Sequence, residues 1–109
     1  MNLQTAYSCP RAAEVTFPGT VATAPTYFYG RRTHCEHEEF TVQTSSGPVD
    51  VIDNVGLAPP VRVAPGDAVV IRGEMVHDRG RPPVVHWTHR DPRGTHEDGF
   101  IRVGGKTYA

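Results

Sequence analysis

The sequence predicts an all-β domain that closes into a small antiparallel barrel of five to six strands, and three observations predict it. Eleven glycines and ten prolines in 109 residues exceed the average share of about 12% for the two together. They fall at regular intervals, so runs of ten or more residues free for a helix are hard to find. Between them lie short apolar segments that alternate with a period of two, and each is bounded by turn residues.

The elements follow in order. Ala13 to Ala24 reads as the first strand, with Pro18-Gly19 as a bend or bulge inside it and Pro25 ending it. Thr26 to Cys35 reads as a loop. In Glu38 to Thr44, Phe40 and Val42 face one way and Glu39, Thr41 and Gln43 the other. Ser45-Ser46-Gly47-Pro48 is a turn, and Val49 to Asp53 is the return strand, with Val49, Val51 and Asp53 on one face. Asn54 to Pro60 is irregular with room for one helical turn. Ala64-Pro65-Gly66-Asp67 is a turn signal, and Ala68 to Val76 is the most apolar strand of the chain. Asp78 to Pro83 is a loop, Val84 to His89 the fifth strand, and Asp91 to Gly99 a further loop. Phe100 to Val103 and Lys106 to Tyr108 pair through Gly104-Gly105. Five or six such strands in one domain spanning 1–109 close best as an OB-like barrel. The segment Val63 to Glu74 has the turn-plus-strand form of that class.

Composition removes several functions. The formal net charge is -1, from 11 Lys plus Arg against 12 Asp plus Glu. A general nucleic-acid coat is therefore disfavoured, although a local basic patch is not. Two cysteines, Cys9 and Cys35, make no disulfide framework and fit either one bridge or two thiols. No apolar stretch approaches the ~20 residues that cross a bilayer, and Met1 to Pro10 lacks the n- and h-regions of a signal peptide. The expectation is a cytoplasmic protein with no membrane partner.

Function is concentrated between His86 and His96. His86-Trp87-Thr88-His89-Arg90-Asp91 continues to His96 and holds three of the six histidines, a carboxylate and the only tryptophan. Imidazole exchanges protons near neutrality and is the commonest metal ligand. One reading is a divalent metal site, zinc first, with His86, His89 and His96 as ligands, His37 assisting, and Asp91 as ligand or ring-orienting acceptor. On a flat strand His86 and His89 point to opposite faces, so this reading needs the strand to end early. The metal-free reading uses His86, His89, Thr88 and Asp91 as the catalytic set. There the imidazole of His86 and the hydroxyl of Thr88 share a face. The structural alternative has rings satisfied by carbonyls, Asp91 capping its own turn and Trp87 in the core. Around the motif, Arg90, Asn54, Glu74 and Trp87 are the candidate substrate contacts, and Arg72, Arg79, Arg81, Arg90 and Arg93 suit an anionic group. Tyr27-Phe28-Tyr29-Gly30-Arg31-Arg32 combines rings with charge, as single-strand nucleic-acid binders do. A strand end with core rings and solvated arginines is the plainer reading.

His86-Trp87-Thr88-His89 resembles one of the two His-x-Thr units of certain phosphoesterases, with a single unit present here. From about His37 onward the chain also resembles an uncharacterised bacterial family, a domain of unknown function with a His-Trp-Thr-His motif. The matching residues are His37, Phe40, Asn54, Leu57-Ala58-Pro59, Gly66-Asp67, Gly73-Glu74, His86 to His89, Asp91-Pro92, Gly94, His96, Gly99 and Tyr108. The chain departs from that pattern at Phe100, where tryptophan is expected, and at Asp53, where histidine is more usual. The resemblance implies a site but names no chemistry.

The expected function is a small hydrolase, metal-dependent or not, that cleaves a phosphodiester, nucleotide or other anionic substrate. The alternative is a non-catalytic OB-type module that binds a small anion, single-stranded nucleic acid or a protein partner.

Overall fold

A computed structural model describes residues 11–31, 34–77, 80–91, 93–94 and 97–109. It contains eight strands: β1 (Arg11–Val21), β2 (Thr26–Gly30), β3 (Cys35–Thr44), β4 (Gly47–Asn54), β5 (Ala68–His77), β6 (Val84–His86), β7 (Phe100–Val103) and β8 (Lys106–Tyr108). No helix occurs among the described residues. None is therefore long and apolar enough to cross a membrane.

The strands form one sheet that returns on itself. β1 pairs β3, β3 pairs β4, β4 pairs β6, β6 pairs β5, and β5 pairs β1. All these pairings are antiparallel except β4 with β6, which is parallel. β2 pairs β3 outside the ring, and β7 and β8 continue from β5. The all-β class expected from the sequence is the one found, as a single sheet closed in a ring. Five strands make the ring, and three extend it.

Alternation decides which side chains fill the ring. Phe40 and Val42 of β3, Val49 and Val51 of β4, Val69 and Ile71 of β5 and Val85 of β6 are all buried. Each is worth about 1.5–3 kcal/mol in removal from water. The Gly104-Gly105 turn between β7 and β8 takes φ of 57° and 83°, the left-handed pair that a two-residue hairpin requires. Asp67 closes its own turn, its Oδ2 accepting the Ala64 amide at 2.9 Å. Leu57 and Ala58 both donate to the Asn54 carbonyl, which makes the single turn expected after β4.

Beyond shifts of two or three residues at the ends of β1 and at the starts of β3 and β4, three features differ from expectation. Thr26–Gly30 is a strand, not a loop, because it extends the start of β3 as a hairpin while four of its five residues stay exposed. Exposure on both faces leaves no burial alternation to read. The Pro18-Gly19 bulge is absent, since the β1–β5 register runs unbroken from Arg11–His77 to Thr20–Ala68. The fifth expected strand stops at His86 rather than His89, because Trp87 adopts φ of 57°.

Candidate functional site

The site is built where β6 ends. Val85 is fully buried, while Val84 and His86 alternate away from it. In register, His86 lies opposite Glu74 of β5, and their side chains meet at 3.0 Å between Nε2 and Oε1. Trp87 then leaves the β region. A bulky residue with positive φ is a true outlier, costing of order 1–3 kcal/mol that surrounding structure must offset. The indole is 37% exposed and stacks on His86, with centroids 4.7 Å apart and planes 21° from parallel.

Two glycines let this reversal sit against the sheet. A Cβ at Gly99 would overlap the Trp87 carbonyl and come within 2.6 Å of the Arg72 carbonyl. A Cβ at Gly73 would come within 2.5 Å of the His86 carbonyl and 2.9 Å of Thr88 Cγ2. Only bare backbone fits beneath the motif.

After the reversal the chain enters the interior. Thr88 and His89 are 1% and 3% exposed. The Thr88 hydroxyl lies 3.0 Å from the Ile52 carbonyl and 3.2 Å from Asp53 Oδ1, sharing its proton between them. Asp53 is 1% exposed and faces Glu38 across the β3–β4 register. Glu38 accepts the Val61 amide at 2.8 Å and the Tyr27 hydroxyl at 3.2 Å. Asp53 Oδ2 has no hydrogen-bond partner in the described structure. Burial raises both acids. Asp53 is pushed up to about 7, with the Glu38 charge adding to burial and the Thr88 hydroxyl opposing it. Glu38 is raised by burial and held back by the Val61 amide and Tyr27.

The expected site residues therefore separate. His86, Trp87 and Glu74 come together on the outer wall. His89 is enclosed, its Nδ1 2.8 Å from the Arg90 carbonyl, which fixes the proton on that nitrogen. Thr88 serves the interior. His37 faces out from β3 and stacks on Phe28 at 5.2 Å and 15°, with β4 lying between it and β6. Asn54 holds its own turn through Oδ1, which accepts the Gly56 amide at 2.9 Å. Asp91 accepts the Arg93 amide at 2.8 Å, and its own amide donates to Asp98 at 2.9 Å, so it organises its loop. Arg90 is exposed. His96, Arg79 and Cys9 lie outside the described residues. Among those described, no three His, Cys, Asp or Glu side chains are placed to hold a metal.

Sequence reasoning missed Glu38 and Phe28 as members of buried or stacked pairs, and it placed Asp53 on the face of Val49 and Val51 without reading it as a buried acid. Phase was the available signal. Glu38 is in step with Phe40 and Val42, and Asp53 with Val49 and Val51, so both carboxylates had to point inward.

Residues 2–109 match the model of a family described as a protein of unknown function (DUF3465). The chain belongs to this family. No curated protein matches it. Membership in DUF3465 extends to β1 and β2, which the resemblance read from His37 onward left out, and it assigns no reaction.

This member of DUF3465 thus has two polar centres with different reach. The Glu38–Asp53–Thr88 network is closed to ligands and anchors the motif. The outer wall carries the accessible groups: His86 with Glu74, the exposed Trp87, and the Phe28–His37 stack.

Proposed function

We propose that the protein is a non-catalytic binding module that holds an uncharged oligosaccharide on the outer wall of β3, β4 and β6. The observation that carries this reading is the pair of flat aromatic–histidine stacks, His86 on Trp87 and His37 on Phe28. Their aromatic members remain 37% and 40% exposed. With strands ~4.8 Å apart, β3 and β6 place the two stacks roughly 10 Å apart across the sheet. The central strands of OB-type domains are where oligonucleotides and oligosaccharides bind. Charge favours the second. Glu39, Asp50, Glu74 and Glu14 alternate outward from β3, β4, β5 and β1, while Arg72 is turned to Glu97 at 3.5 Å and to Thr16 at 2.8 Å. An acidic wall repels a phosphate backbone. Carboxylates beside aromatic faces suit sugar hydroxyls and the C–H faces of pyranose rings.

Trp87 is the only tryptophan, so its fluorescence reports directly on the wall. Titration with a panel of neutral oligosaccharides should give a saturable change that persists in 0.5 M salt. Trp87→Ala, read by calorimetry, and Phe28→Ala should each weaken binding about tenfold or more, in line with ~1–3 kcal/mol per stacked ring removed. A response to single-stranded oligonucleotides alone, falling steeply with salt, would replace the sugar with nucleic acid. No response to either would reject the module.

The His86–Glu74 contact favours a second reading, hydrolysis of an anionic ester. With Nε2–H donated to Glu74, Nδ1 is left to accept a proton from water. Bis(p-nitrophenyl) phosphate tests it: turnover lost in both His86→Ala and Glu74→Gln, at unchanged melting temperature, supports the reading. Absence of turnover in the wild type ends it.

A further inference from the structure

We propose that strand β2 is a self-complementary edge through which two copies of this chain pair antiparallel, with Phe28 on the two-fold axis. This inference shares Phe28 with the ligand reading but does not rest on it. β2 hydrogen-bonds to β3 on one side, and no other strand pairs with it among the described residues. Exposed edges are ordinarily blunted by charge or proline. β8, at the far end of the sheet path, has Lys106. Thr26-Tyr27-Phe28-Tyr29-Gly30 has neither charge nor proline, and its rings are 56%, 40% and 59% exposed.

The pattern is palindromic. In the register centred on Phe28, Phe28 opposes its own copy and Tyr27 opposes Tyr29 of the second copy, twice over. All six rings then meet a ring, a favourable class of cross-strand pair. Thr26 opposes Gly30, which presents no bulk. Because the strand is uncharged, it meets its copy without like-charge repulsion. That separates a second copy from a partner of unrelated sequence: the aromatic positions are matched by symmetry alone.

Area sets the strength. An aromatic side chain offers 150–250 Å², so three rings about half exposed supply on the order of 300 Å² per copy. That is well below the ~800 Å² per partner of a standard interface. The dimer is therefore weak and transient, forming only at high protein concentration.

Sedimentation velocity over ~5 µM to ~1 mM tests it, with mass rising from 11.9 kDa toward twice that value. Tyr29→Lys, at the most exposed of the three positions, should remain monomeric throughout while keeping the wild-type melting temperature. Hydrogen exchange gives a second readout on the unaltered chain: amides of residues 26–30 should gain protection with concentration. A wild type that stays monomeric at ~1 mM overturns the proposal. So does a Tyr29→Lys variant that dimerises as the wild type does, or protection that appears elsewhere and not in β2.

Discussion

Asp53 is a carboxylic acid enclosed by its own strand, by Glu38 and by Thr88, with burial holding its pKa near 7. The unfolded chain releases that proton near 3.9. The folded state therefore binds the proton more tightly, and its stabilisation is complete in acid. It declines as pH rises above about 4 and is gone once pH passes through about 7. Glu38 is shifted the same way and adds to the slope. A shift of about three units corresponds to an upper bound on the order of 4 kcal/mol. The melting temperature should thus fall from pH 5 to pH 8. Asp53→Asn keeps an oxygen for Thr88 and removes the charge, so it should flatten that fall and melt higher than wild type at pH 8. Thermal melts across that range check both statements. A wild-type melting temperature that is flat or rising would show that Asp53 is charged in place.

Gly99 and Gly73 belong to the scale of elements, since each decides how close two segments lie. Gly99→Ala pushes a methyl into the Trp87 carbonyl, so the reversal after β6 must lift from the sheet. A cost of about 1–3 kcal/mol is expected for such overpacking, with a red shift of Trp87 emission as the indole leaves His86. Differential scanning fluorimetry and the emission spectrum check it. An unchanged melt would mean the reversal is not seated on Gly99. The same elements show how far a sequence can be read. β3, β4, β5 and β7 were legible because each buries one face and alternates with it, and β8 because Gly104-Gly105 turns the chain back beside β7. β2 was not, since its tyrosines and phenylalanine are exposed on both sides and its hydrogen bonds, not its burial, make it a strand. β6 was read three residues too long because the left-handed turn at Trp87 depends on contacts with Gly73 and Gly99, remote in sequence. In the site, the clustering of residues 86 to 89 was visible, as was the opposition of His86 to His89 along a strand, but not the turn at Trp87 that takes Thr88 inward, away from the face of His86.

At the scale of the whole molecule, the reversal at Trp87 against the closed ring leaves His86 outward and takes His89 inward. The two should then behave as separate residues. His86→Ala, at a partly exposed hydrogen bond to Glu74, should cost well under ~1 kcal/mol. His89→Ala, at a buried hydrogen bond, should cost about 1–3 kcal/mol. Together they should add within ~0.5 kcal/mol, and neither zinc nor chelator should move the wild-type melt. A zinc-dependent rise lost in both variants would instead establish a shared metal centre that includes residues outside those described. β6 carries a consequence for truncated chains. It is three residues long, yet it alone joins β4 to β5, and it comes after both in the chain. A polypeptide broken off before residue 84 therefore keeps two raw strand edges, on β4 and β5, and should self-associate at concentrations where the full chain does not.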